Sequence, residues 1–140
     1  MLPGNLLALE LTVTRTQDLS FGSFAALSGG SVSIDTFGGR AATGSIWLAP
    51  SFGGSSALFT VTGDPSTSFA VMLPTNGTVY LTGPGVPMPV NNFISVPDGV
   101  DGQLDLLGTG IVRVGATLNV GSGQTPGAYS GSFLITVDYN

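Results

Sequence analysis

Cysteine, histidine and lysine are all missing from this chain, and charged residues make up only 8% of it. Each gap excludes some chemistry. Without cysteine there are no disulfides and no thiolate metal sites. Without histidine the usual general base, the commonest metal ligand and every Ser–His triad are gone. Without lysine there is no Schiff base and no Ser–Lys dyad. Eight carboxylates remain, and two suffice for glycoside hydrolysis. Asp18, Asp35, Asp64 and Asp98, however, sit in or beside turn signals, where Asp bonds its own backbone. No enzyme and no cofactor is expected.

The charge is −5, and Arg15, Arg40 and Arg113 are the only cations. Nucleic acid and anionic membranes both need clustered Lys and Arg, so neither is an expected partner. Membrane insertion is not expected either, because no apolar run reaches about 18 residues. A surface so poor in charge offers little repulsion against self-association.

What the chain does have is alternation and turns. It has 140 residues, enough for one domain with a core, and 42% of them are hydrophobic. Its 22 glycines and 9 prolines are spread along its length. Leu7, Leu9, Leu11 and Val13 share one face of "LALELTVT". "SVSID", "TGSIWLA", "ALFTVTG", "SFAVMLP" and "GTVYLTG" alternate in the same way. "VPMPVNNFISV" carries two prolines and reads as an edge or bulged strand. "GIVRVGATLNVG" reads as a long strand in which Gly115 marks a bulge or a close backbone approach. "LDLLG", at 104–108, is the one candidate for half a helical turn. Turn signals separate the strands at roughly eight to fourteen residues, the spacing of an antiparallel sandwich or barrel.

Three local motifs have two readings each. "PDGVDGQLD" groups Asp98, Asp101 and Asp105, either as oxygen ligands for Ca²⁺ or as two Asp-Gly turns; the spacing favours the turns. "NGT" at 76–78 is a glycosylation acceptor or a hairpin turn. Trp47 and Tyr80 are ligand-stacking aromatics or ordinary strand residues packed on a neighbour.

The C-terminal segment "GAYSGSFLITVDYN" alternates without a break, with Phe133, Ile135, Val137 and Tyr139 on one face. Gly127 stands fourteenth from the end and Tyr139 is penultimate. This pattern resembles the C-terminal signature of bacterial chaperone-usher pilus subunits. "LTVTRTQDLSFG" resembles the first strand of the spore-coat U and archaic pilin relatives. The stretch from "VGATLNVG" to the end is similar to an uncharacterised secreted domain family related to these pilins. The chain departs from the archaic pilins in having Leu11 where they usually carry a cysteine.

The resemblance implies an all-β, immunoglobulin-like antiparallel sandwich of about seven to nine strands, lacking its last strand. Residues 11–140 form the domain and residues 1–10 an N-terminal extension. Gly127, Phe133, Ile135, Val137 and Tyr139 would belong to the groove and terminal strand. Leu7, Leu9, Leu11 and Val13 would form the donor strand, given in cis or in trans. The implied function is a structural subunit of an extracellular fibre, pilus or coat that assembles by donor-strand exchange. Its partners would be further copies in a head-to-tail polymer, with a periplasmic chaperone and an outer-membrane usher. The implied location is secreted or cell-surface, in a mature form carrying an added Met. Two other readings fit the residues: a carbohydrate- or surface-binding module using Trp47, Tyr80 and the 97–105 loop, and a virion decoration protein.

Overall fold

The computed structural model describes residues 2–4 and 9–140. They form an immunoglobulin-like β-sandwich with no helix among the described residues. The strands are β1 (Thr12–Gln17), β2 (Phe24–Ile34), β3 (Arg40–Leu48), β4 (Ala57–Thr62), β5 (Ser68–Met72), β6 (Val79–Leu81), β7 (Met88–Val96), β8 (Gly102–Gln103), β9 (Thr109–Val120) and β10 (Thr136–Tyr139).

β9 organises the larger sheet. Its alternate residues Val112, Val114, Ala116, Leu118 and Val120 are all buried. Along one edge β2 pairs with residues 116–120 and β4 with residues 109–114, end to end. β7 pairs along the other edge. β1 extends the sheet beyond β4, β3 beyond β2, and β6 beyond β7. Gly115 marks a close backbone approach, since a Cβ there would lie 2.2 Å from the carbonyl oxygen of Ile34. The bulge lies across from it in β7, between Asn91 and Ile94. There Asn92 takes φ 55 and donates its N–H to Asn76 Oδ1 at 2.9 Å.

β7 is therefore bulged but not an edge. Pro89 is tolerated because it lies beyond Val90, the last residue of β7 paired to β9, so its missing N–H removes no rung there. "LDLLG" is a turn rather than half a helical turn, for the same reason that Asp favours turns generally. Asp105 Oδ1 accepts the N–H of Leu107 and of Thr109, both at 2.9 Å.

The second sheet runs β10-β5-β8. The order β1-β4-β9-β7 matches strands A-B-E-D of an immunoglobulin domain, and β5-β10 matches C-F. Two buried clusters form the core, the upper one on the inner face of the larger sheet and the lower one between the two sheets. The upper one holds Val32, Ile34, Met88, Val90 and Leu118; the lower one holds Val61, Phe69, Leu104, Val112 and Val114. Leu19, Phe93 and Phe133 pack against both.

Candidate functional site

Among the described residues both terminal strands are edges: β1 pairs only with β4, and β10 only with β5. The final strand is shorter than its alternation predicts. The last β10–β5 pair is Thr136 with Met72, and Pro74 follows shortly after and cannot donate. Ser130 is held to Thr82 by two backbone bonds of 2.8 and 3.0 Å. Between these anchors, residues 131–135 belong to no strand.

The open edges flank a groove. Across an antiparallel pair, opposed side chains point to the same face. Val13 is opposite the fully buried Val61, so it points inward, yet it is 40% exposed. Nothing covers it. Arg15, opposite Phe59, also points inward, and its Nε lies 3.1 Å from Asp18 Oδ1 at the exposed rim. Opposite these residues, Phe133, Ile135, Val137 and Tyr139 are half-buried, while Leu134, Thr136 and Asp138 between them are exposed. Phe133 stands edge-on to Phe59, with centroids 6.4 Å apart, and tilted to Phe93 at 5.0 Å.

Towards the upper end the walls part around a cavity of about 400 Å³. Residues 15–24 form one wall and residues 129–133 the other, over a floor that includes Ala57, Val79, Val90 and Leu118. A second cleft of about 660 Å³ continues upward between residues 22–26 and 124–129. Arg40 fixes the first wall. Its Nη1 donates to the carbonyls of Phe21, Ser23 and Phe52, and its Nη2 to that of Ala49. Tyr129 fixes the second. Its hydroxyl donates to Thr125 O at 2.5 Å and accepts the N–H of Gly85 at 3.0 Å. A tyrosine bonding back a few residues upstream is the corner that precedes strand F in immunoglobulin-like sandwiches.

The lower end is closed. Tyr139 Oη accepts the N–H of Asp64 at 2.8 Å and donates to Leu9 O at 2.7 Å. Leu9 N–H donates to Asp64 Oδ1 at 3.0 Å. A Cβ on Gly63 would meet both Tyr139 Oη and Leu11 Cδ1, so glycine is what lets these two converge.

Among the candidate donor residues, Leu7 lies outside the described residues. Leu9 is 58% exposed at the clasp, Leu11 is half-buried beside Tyr139, and Val13 lies on the groove face of β1. The strand begins at Thr12 because its partner β4 ends at Thr62. Gly127 takes φ 147, and a Cβ there would lie 2.5 Å from Pro84 Cγ. It shapes the upper cleft and lies outside the terminal strand.

The reading of the sequence missed Phe21, Phe24, Phe59 and Tyr129 as groove residues. "DLSFG" and the Thr125–Tyr129 spacing were the signals available for them.

The other candidates do not converge. Trp47 lies on β3 and Tyr80 on β6, at opposite edges of the large sheet with three strands between them. Asp98 O accepts the N–H of Asp101 in a turn. The Asp105 carboxylate takes the Thr109 hydroxyl at 2.8 Å in addition to its two backbone bonds. Bonds from Thr109, first of all its N–H, hold this carboxyl below the usual carboxylate range. Among the described residues, no three acidic side chains come together as a metal site would require.

Residues 11–139 match the family described as a domain of unknown function, DUF4402, and the chain belongs to that family. No curated protein and no solved structure matches it.

Proposed function

We propose that this DUF4402 domain is a structural subunit of an extracellular bacterial fibre, pilus or coat, assembled by donor-strand exchange. One observation carries the reading. In the strand order A-B-E-D over C-F, no described residue takes the seat of strand G beside β10, and a groove opens at its upper end between residues 15–24 and 129–133. Residues 131–135 offer an incoming strand backbone that no described strand pairs, and half-buried Phe133, Ile135 and Val137 offer it an apolar bed. Strand addition to such an edge combines main-chain pairing with pockets for alternate side chains.

The occupant we favour is the N-terminal arm of another copy. The arm is rich in leucine, as a groove-filling strand must be. Beyond the clasped Leu9, its described residues 2–4 are exposed: Leu2 is 98% exposed, and no described residue lies within 4 Å of the position a Cβ on Gly4 would take. That placement favours donation in trans. A head-to-tail contact of this kind builds an open filament. Before assembly, a periplasmic chaperone would cover the groove and an usher would pass the subunit on.

The test is binding of a synthetic peptide of residues 1–10 to a variant lacking residues 2–8. The peptide should bind, raise the melting temperature and lose affinity when Ile135 is replaced by Asp. A peptide that neither binds nor stabilises would defeat the reading.

A further inference from the structure

The turn between β8 and β9 breaks a local rule. Leu106 and Leu107 occupy its two central positions, where polar residues or glycine are expected. They are 84% and 85% exposed. The turn is nevertheless held firmly. The Asp105 carboxylate takes the N–H groups of Leu107 and Thr109, and the Gly108 N–H returns to Asp105 O at 3.0 Å. Two further bonds lock it to the neighbouring turn, Ser66 N–H to Asp105 O and Gly63 N–H to Gly108 O, both at 2.9 Å. Violations of this kind collect at functional sites.

Its position says what it meets. The turn lies at the lower pole, beside Asp64 and the Tyr139 hydroxyl that hold Leu9, the root of the arm. An added strand G runs antiparallel to β10, as neighbours in this sandwich do. It therefore enters an acceptor at the Tyr139 end and leaves at the Phe21–Tyr129 end. Its root, pinned at the donor's lower pole, then lies at the acceptor's upper pole. The upper pole carries exposed apolar side chains as well: Leu27, Phe52 and Val86 are 78%, 66% and 75% exposed, Leu27 following Ala26 of the upper cleft while the carbonyls of Phe52 and Val86 accept from the cleft residues Ser23 and Gln124.

We infer that the Leu106–Leu107 turn is a second subunit contact, docking on the upper pole of the copy that receives the arm. The inference rests on the assembly reading above. It adds a contact independent of the groove, which would set how rigidly successive domains stack. Truncating side chains that an interface fully covers weakens association.

Sedimentation velocity on the full chain reads self-association, and anisotropy of a labelled peptide of residues 1–10 reads the groove of the arm-deleted chain alone. The variant is Leu106→Ser with Leu107→Ser, and its melting temperature confirms folding; Leu107→Lys serves if the double variant does not fold. We expect peptide affinity unchanged and self-association weakened by about tenfold or more. Unchanged self-association overturns the inference, and so does a wild type that stays monomeric while its groove binds the peptide. Loss, in the variant, of wild-type binding to phosphatidylcholine vesicles also overturns it, because the tip is then a membrane contact. A peptide that fails to bind while the variant still loses self-association defeats the donor reading and keeps the tip contact.

Discussion

Replacing Tyr139 with Phe keeps the ring and its packing while removing the hydroxyl that ties three chain segments together. The hydroxyl makes two bonds, from Asp64 N–H at 2.8 Å and to Leu9 O at 2.7 Å. Each such bond contributes about 0.5–1.5 kcal/mol net. Tyr139 is half-buried and Leu9 is exposed, so water recovers part of the loss, and about 1–2 kcal/mol is expected. At about 2.1 cal/mol/K per residue of unfolding entropy, a chain of this length loses roughly 3–4 °C per kcal/mol. Tyr139→Phe should therefore melt about 3–7 °C lower by circular dichroism. It should also free the arm. Limited proteolysis near Leu9 should accelerate while cleavage elsewhere does not, because no other contact of Tyr139 is altered. A variant that melts with the wild type and shows an unchanged cleavage rate would refute the clasp. With it would go the polarity argument for the lower pole.

Deleting residues 2–8 should abolish oligomers in size-exclusion chromatography and leave the monomer's melting temperature near its original value, since the described residues 2–4 are exposed and the deletion keeps the Leu9 clasp. Gly115→Val should cost about 3 kcal/mol in urea unfolding, because the new Cβ would collide with Ile34 O. Ile135→Asp should lower stability modestly and suppress peptide binding strongly, since a carboxylate enters the apolar bed of the groove. Asp105→Asn should be less stable than wild type at neutral pH. The Asp105 pKa is held below its ordinary 3.8 in the folded state, so its contribution is full above that value and disappears as pH falls through the lower folded one. Urea titrations of both proteins should thus diverge above about pH 5 and converge in strong acid.

Much of the architecture was legible in the sequence because its period is local. The alternation of Val112, Val114, Ala116, Leu118 and Val120 fixes a two-faced strand, and one buried face makes the register unique. The missing histidine, cysteine and lysine closed off most site chemistry before any fold was known. Even the inward face of the last segment could be read from Phe133, Ile135, Val137 and Tyr139. Tertiary structure decided the rest, since pairing partners are set by distant residues. Only the fold shows that β10 begins no earlier than Thr136, that β7 is interior despite Pro89, and that no described strand pairs with the outer edges of β1 and β10. Only the fold unites Leu9, Asp64 and Tyr139, far apart in the chain, in one clasp. Strand identity follows from neighbours in sequence; an empty place in a sheet is a property of neighbours in space.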